Sequence, residues 1–377
     1  MVKILHAGSL DMKFGGPALS TYLTLKGVKL YGMQADCIMP PLSDQGVLIG
    51  DDIHTIYTRP VMNKRFMYMP KLGKTLKEAG TYDLYHIQGV WQYMGVRVAK
   101  YARECKKPYV ISLRGLMYPD AMKTSGIAKR ISLALYQKKT LQEASCIQAT
   151  CEEEMIHYRN LGFTNPVALI PNPIETQGYV DRPIVKNETT TFGYLGRVHP
   201  RKRIERIIYA FAGNRAVFDK CKLVIIGSDI PSYENFLKAE VERLNLRNVE
   251  FTGFLTGNKK DEAISGLSYL VVPSDFENFG NIVTEALVRG VPVIASKGMP
   301  WKELEDFHCG WWVNNDQNTI DKALLEAAML KEEERIVMGQ NGKQLMKTKY
   351  SVEVLGEKMT LLYKWILKQS PKPEFVF

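Results

Sequence analysis

Residues 271–301 read VVPSDFENFGNIVTEALVRGVPVIASKGMPW. The apolar runs and the turn residues between them predict a short buried strand, a tight polar loop, a helix, a second strand and a second loop. Two carboxylates, Glu277 and Glu285, sit eight positions apart. Glu277 falls in the loop and Glu285 falls two turns further on, on the helix. Between them, Phe279-Gly280-Asn281 brings backbone N–H groups to a helix N-terminus, where anions are favoured. The arrangement suits a ligand that carries both hydroxyls and phosphates.

The same alternation extends outward in both directions. Downstream, a long helical region is expected over Ile320–Lys347, then a last amphipathic helix over Val352–Lys368 with Leu355, Met359, Leu362 and Trp365 on one stripe. Upstream, strands are expected at Phe192–Leu195, Lys222–Ile226 and Val249–Phe251, with helices at Ile204–Asn214, Tyr233–Leu244 and Lys260–Gly266. The first half repeats the pattern. Strands Val2–His6, Asp36–Met39, His54–Tyr57, Leu84–Gln88, Tyr109–Leu113 and Cys146–Thr150 alternate with helices Ala18–Tyr31, Gly95–Cys105 and Lys129–Glu143. Strands alternating with helices place the chain in the α/β class, with parallel sheets covered on both faces. The polar, proline-marked stretch from Ile170-Pro-Asn-Pro173 to Thr190 is the best domain boundary.

A chain of 377 residues has room for two such domains, each with its own core. No apolar run approaches 18 residues, so no transmembrane helix is expected. The opening MVKILHAGSL enters a strand at once and lacks the apolar core of a signal peptide, so a cytoplasmic protein is expected. The six cysteines contain no C-x-x-C pair, which argues against a disulfide framework or structural zinc and for reduced thiols. The net charge of +10 is uneven: residues 1–174 hold 22 Lys+Arg against 13 Asp+Glu, and the remainder 28 against 27. A basic half attracts nucleic acid, an anionic membrane or a phosphate-bearing substrate, or is simply a solvated face. No nucleic-acid-binding motif accompanies the charge, so nucleic acid is not an expected partner.

The candidate motifs all fall at the C-terminal ends of expected strands, where ligands of open α/β sheets bind. Gly15-Gly16-Pro17 lets backbone approach a phosphate, or is an ordinary strand-to-helix turn; it is not a dinucleotide fingerprint. Arg197 and Lys202, in GRVHPRKR (196–203), place two cations where a diphosphate would meet the sheet. Glu277 and Glu285 suit the hydroxyls of a sugar and a ribose; a paired acid/base site is the rival reading. If the segment were helical throughout, eight residues would separate them by roughly 12 Å, which favours two ends of one extended ligand. Asp275 reads as a loop or capping residue. No Asp-x-Asp triplet offers a local pair of metal ligands. In the first half, Trp91 presents either a face on which a sugar stacks or a core side chain. Arg114 follows a strand and faces the same cleft. His86 reads as a satisfied core histidine and His199 as a surface residue.

These residues resemble those of a known family. The chain is similar to the GT-B retaining glycosyltransferases of family 4, also called glycosyl transferases group 1. Glu277 and Glu285 within PSDFENFGNIVTEAL resemble its E-x7-E motif, and GVPVIASKGMPW (290–301), CGWWV (309–313), Gly196-Arg197 with Lys202, IPNP (170–173), Gly15-Gly16-Pro17 and HIQGVW (86–91) also match. The resemblance implies two Rossmann-like domains facing across a cleft. Residues 1–174 form the acceptor-side domain, residues 175–351 the donor domain, and a helix near 352–369 packs back on the first. It implies a nucleotide-sugar donor, UDP- or GDP-linked, with no metal and no other cofactor. Arg197 and Lys202 hold the diphosphate, and Glu277 contacts the donor sugar. Glu285 binds the ribose, Phe279, Gly280 and Asn281 place amides near sugar and phosphate, and Gly16 approaches the diphosphate.

Three departures fall mostly on the acceptor side. Arg114 in SLRGLM stands where many relatives have histidine, Gln88 where a second histidine is common, and Met299 where threonine is common. Trp91 and Arg114 are therefore the acceptor-side candidates. The reading that results is a glycosyltransferase of bacterial surface polysaccharide or lipopolysaccharide synthesis. Its acceptor is a glycan or a lipid-linked glycan, and it docks peripherally on the inner face of the plasma membrane through Lys129, Arg130, Lys138 and Lys139. The alternative is a non-catalytic nucleotide-sugar-binding protein of the same fold.

Overall fold

The computed structural model describes residues 1–43, 46–50, 52–59, 66–119, 121 and 132–377. The chain forms two units, residues 1–173 with 351–377 and residues 174–350. In the first, strands β1 (Lys3–Ala7), β2 (Gln34–Met39), β3 (Thr55–Tyr57), β4 (Leu84–Gln88), β5 (Tyr109–Ser112), β6 (Cys146–Ala149) and β7 (Val167–Leu169) make a parallel sheet of order β3-β2-β1-β4-β5-β6-β7. In the second, β8 (Thr191–Leu195), β9 (Lys222–Ile226), β10 (Val249–Gly253), β11 (Tyr269–Val272), β12 (Val293–Ser296) and β13 (Gly310–Val313) make a parallel sheet of order β10-β9-β8-β11-β12-β13. Both are doubly wound Rossmann-like sheets, the expected fold class. In each, chain order reverses beside the first strand, between β1 and β4 and between β8 and β11, and such switch points open a crevice for ligands.

The strands carry apolar residues on both faces because helices cover both. Along β11, Leu270 and Val272 pack with Val283, Ala286 and Leu287 of the following helix, while Tyr269 and Val271 pack with Ile207 and Phe211 on the opposite face. In the first unit, Ile4 packs with Leu25, Val28, Leu355 and Met359, whereas Leu5 and Ala7 pack with Met94 and Val98. The C-terminal helix Val352–Ile366 therefore belongs to the first core, and its Leu355, Met359 and Leu362 are buried there as the predicted stripe requires. It lies against helix Gly16–Leu30 so closely that a Cβ on Gly356 would strike the backbone of Gly27. Beyond it, Val376 bridges Ala168 and covers the outer edge of β7.

Several expected elements differ. The region Ile320–Lys347 is two helices, Gln317–Met329 and Glu332–Leu345, parted by an extended Leu330 and Lys331. The Glu332-Glu333-Glu334 run favours a new N-terminus, and Glu334 caps it by accepting from the Lys331 N–H at 3.0 Å. Helices Leu72–Glu78 and Glu152–Asn160 and strand β7 were not expected. Lys129 and Arg130 lie outside the described residues. The described part of that predicted helix is a π-type turn, Leu133–Gln137, and a short helix, Lys138–Gln142.

Candidate active site

Two loops meet over the β8/β11 switch point of the second unit. After β8, Gly196 turns at φ 137°, and residues Pro200–Lys202 wind into one 3-10 turn. Arg203 closes that turn in the left-handed region, φ 51°. Its Nε donates to Asp275 Oδ2 at 2.6 Å, and the Asp275 N–H returns to the Arg201 carbonyl at 2.8 Å. Asp275 also accepts from Asn315 at 2.9 Å. Asp275, expected only as a loop or capping residue, thus fastens the basic loop to the loop after β11.

That fastening brings Lys202 onto Glu277, and the two form a direct ion pair with both side chains mostly buried. Ser274 Oγ also reaches Glu277 Oε1, at 3.4 Å, and the Glu277 N–H is tied to the Gly298 carbonyl at 2.8 Å. Arg197 stands apart. Its guanidinium lies 3.6 Å from Asp229, and its side chain is 64% exposed, so it remains available to a ligand.

The helix after Glu277 is short, Asn281–Leu287. It begins at Gly280 in the left-handed region, φ 77°, where a Cβ would meet the Met299 side chain. It stops at Gly290, also left-handed, with the Gly290 N–H on Leu287 O at 3.0 Å and the Val291 N–H on Ala286 O at 3.1 Å, a Schellman ending. Only the last part of the Glu277–Glu285 interval is helical, so the fully helical spacing does not apply. Glu285 is buried, and Lys260 Nζ contacts its Oε2 at 2.5 Å. Lys260 was not singled out in the sequence. It lies 25 positions upstream on helix Gly257–Ser265, in a run of charged residues that reads as a solvated face.

Phe279 is a core residue. Its ring packs 5.1 Å from Trp301 and 6.0 Å from Tyr350, and its carbonyl accepts the Trp301 indole N–H at 2.5 Å. This anchoring leaves Gly280 and Asn281 to open the helix. Tyr194, beneath the loops, donates to the Arg197 carbonyl at 2.8 Å; burial, reinforced by the Glu277 charge, pushes its phenol pKa up.

The first unit carries its own concavity at its switch point, about 220 Å³, with Gln88 and Arg114 among its lining residues. Gly16 is the first residue of the adjoining helix. Arg114, at φ 56°, turns inward. Its guanidinium donates to Gln88 Oε1 at 2.7 and 3.2 Å, to Ser20 Oγ at 2.8 Å, and to Asn172 Oδ1. Burial lowers its pKa to about 10, which leaves it charged at neutral pH. Trp91 packs against the core, and its indole N–H donates to Leu116 O at 3.0 Å. His86 is a satisfied core histidine, bonded to Tyr363 at 2.5 Å and Ser112 at 2.7 Å. His199 is half-buried, and its ring accepts the Arg201 N–H at 3.2 Å.

The six cysteines are free thiols. Among the described residues, no group of three His, Cys, Asp or Glu is placed to hold a metal ion, and no helix is long and apolar enough to cross a membrane.

The family described as Glycosyl transferases group 1 matches residues 181–345, and the Glycosyl transferase 4-like domain matches residues 40–173. An uncharacterized glycosyltransferase of Methanocaldococcus jannaschii is 25% identical over 75% of this chain and 75% of its own. The lipopolysaccharide 1,2-N-acetylglucosaminetransferase of Salmonella typhimurium is 25% identical over 51% of this chain and 55% of its own. Among solved structures, the sucrose-phosphate synthase of Thermosynechococcus elongatus superposes with a TM-score of 0.76 at 19% identity, covering 98% of this chain and 100% of that one. Anabaena HepE in complex with UDP-glucose superposes with a TM-score of 0.71 at 16% identity, covering 95% and 98%.

Proposed function

We propose, from the premise that this chain is a GT-B-fold glycosyltransferase whose residues 181–345 belong to the glycosyl transferases group 1, that it moves a sugar from a nucleotide-diphosphate donor to a glycan or lipid-linked acceptor with retention of configuration. The observation that carries the reading is the Lys202–Glu277 contact at the β8/β11 switch point, with Arg197 exposed on the same loop after β8. Cations at that place receive a diphosphate. Lys202 then leaves Glu277 for a phosphate oxygen, and the freed carboxylate accepts hydroxyls of the donor sugar. Glu285 exchanges Lys260 for the ribose hydroxyls in the same way. The amides of Gly280 and Asn281 lie between these two ends.

The chemistry follows from charge. The bond from the anomeric carbon to the diphosphate oxygen breaks through an oxocarbenium-like state, and both electrons leave on the phosphate. Arg197 and Lys202 stabilise that departing charge, the largest contribution a protein makes to such a step. The acceptor hydroxyl attacks from the face the phosphate leaves, and the phosphate oxygen takes its proton. The new bond thus has the old configuration. Wild-type product examined by anomeric proton NMR should show the donor's configuration; inversion would contradict this step.

The acceptor belongs to the polysaccharide or lipopolysaccharide class. The Salmonella relative is named for a lipopolysaccharide acceptor, and the charge excess of the first 174 residues suits an anionic membrane surface on the cytoplasmic side. Binding to anionic vesicles should weaken as salt rises; equal binding to neutral vesicles at high salt would count against membrane docking. The direct test of the donor is a thermal-shift screen across UDP-, GDP- and ADP-sugars. A donor held at 100 times its Kd stabilises the fold by about 2.7 kcal/mol. A flat response to every nucleotide and nucleotide-sugar would refute the donor site.

A further inference from the structure

The pocket of the first unit is bounded by a directed chain of hydrogen bonds. A guanidinium only donates, so the Gln88 atom facing Arg114 is the amide oxygen. Gln88 Nε2 therefore donates to His6 Nδ1 at 3.1 Å. His6 then carries its proton on Nε2 and gives it to the Tyr363 oxygen at 3.1 Å. The Tyr363 hydroxyl donates to His86 Nδ1 at 2.5 Å, and His86 Nε2–H donates to Ser112 at 2.7 Å. Ser112 passes its hydrogen to Gln148 Oε1 at 2.5 Å, and Gln148 Nε2 ends the chain on the Ile170 carbonyl at 2.9 Å. Each member donates once to the next, which requires both imidazoles to be neutral. Burial, with the Arg114 charge behind it, holds the His6 pKa down to about 3, and burial lowers His86 well below its ordinary value.

The chain fixes what the pocket floor offers. Both bonds to the Gln88 oxygen come from Arg114, so that acceptor is used. The second hydrogen on Gln88 Nε2 and the second on Arg114 Nη2 have no partner among the described residues. The floor thus presents hydrogens and one formal positive charge. All acceptors on Arg114 are neutral: Gln88, Ser20 and Asn172. Glu154 is the carboxylate whose field reaches Arg114. Its oxygens are taken by the Gly115 N–H, the Thr150 N–H at 2.7 Å and the Thr150 hydroxyl at 3.0 Å, and it forms no ion pair with Arg114. The walls are largely apolar, with Phe14, Pro17, Met67 and Leu116.

We propose that this pocket receives an anionic group, a carboxylate or a phosphate, through Arg114 Nη2 and Gln88 Nε2, with Tyr363 as the positioning residue that holds His6 against the Gln88 amide. The inference rests on the glycosyltransferase reading only for what carries the anion, an acidic sugar or a phosphate of the acceptor.

The test uses the full chain labelled with 15N-arginine and 15N-histidine, at low salt, titrated with D-glucuronate, inorganic phosphate and D-glucose. Glucuronate or phosphate should shift the Arg114 Nε–H resonance saturably, and glucose should not. Arg114→Gln should weaken anion binding at least about tenfold, as loss of a charge-assisted pair does. Tyr363→Phe should weaken it several-fold and shift the His6 Nε2–H resonance, which loses its acceptor while Nδ1 still accepts from Gln88. Persistence of bound glucuronate in the presence of UDP supports an acceptor anion, and its displacement by UDP would overturn that assignment. No Arg114 shift in the wild-type chain, or equal shifts with glucose, would overturn the site even if Arg114→Gln failed to fold. Unchanged binding and an unmoved His6 Nε2–H resonance in Tyr363→Phe would overturn the positioning role. Nucleotide-sugar turnover by the wild-type chain, measured in parallel, separates failure of this pocket from failure of the transferase reading.

Discussion

The two units use the same topology for opposite electrostatics. At the β1/β4 switch point, the paired strand residues His6 and His86 are neutral and joined through Tyr363 in a closed run of hydrogen bonds. At the β8/β11 switch point, Glu277 and Glu285 are each matched by a lysine, Lys202 and Lys260. A hydrogen-bonded wall is preorganised, because altering one member leaves its neighbours unsatisfied. An ion pair near a surface is exchangeable, because an incoming phosphate or hydroxyl replaces each partner. The first unit thus holds its pocket cation, Arg114, in a fixed frame of neutral partners, and the second holds its lysines against carboxylates.

The largest effect expected from breaking this contrast is on chemistry. Lys202→Met keeps most of the side-chain volume but removes a cation from the departing phosphate, and kcat should fall by about 10²–10³-fold. A wild-type kcat would remove Lys202 from the site. Next in size is Gly356→Ala. Its methyl would strike the Gly27 backbone and push the C-terminal helix, with Tyr363, off the first unit. Overpacking of this kind costs about 1–3 kcal/mol, read by urea denaturation, and full stability would show that the two helices shift apart freely.

Lys260→Met removes the group that the ribose must displace from Glu285, so the donor KM should fall several-fold while kcat stays nearly unchanged, the pattern of altered uniform binding. A fall in kcat alone would place Lys260 in the chemistry. The other side of the contrast responds to pH. His6 and His86 have lowered pKa values in the folded chain, so below about pH 6.5 the unfolded chain takes up protons that the folded chain refuses. Their contribution to stability is complete above that pH and is lost progressively as pH falls from about 6.5 toward 3, by up to about 1.4 kcal/mol per pH unit for each histidine. Denaturation between pH 7 and 5 should show this slope, and His86→Asn should flatten it. A slope unchanged by that substitution would contradict a neutral His86.

Much of the architecture was legible because its signals are local. Strand Leu84–Gln88 and strand Lys222–Ile226 fall where their apolar runs end, and the loop–helix–strand reading of residues 271–301 follows from Gly280, Gly290 and Pro292. The break at Leu330 was also written, in the Glu332–Glu334 run, but the apolar periodicity on either side concealed it. Contacts between distant residues were not legible. Nothing near Lys260 points to Glu285, and nothing near Arg203 points to Asp275, since each pair forms only when the strands pair. Tyr363 lies beside the stripe of Leu355, Met359, Leu362 and Trp365 and was not singled out; its hydroxyl has a role only because His6 and His86 meet it.

The central claim is that the loop carboxylate at the β8/β11 switch point serves the donor sugar. The most direct measurement is steady-state release of nucleoside diphosphate from the donor found in the thermal-shift screen, comparing the wild-type chain with Glu277→Gln. The account predicts that the variant folds, is still stabilised by the free nucleoside diphosphate, and turns over at least about 100-fold more slowly. Wild-type turnover by the variant, with its fold intact, would contradict the account.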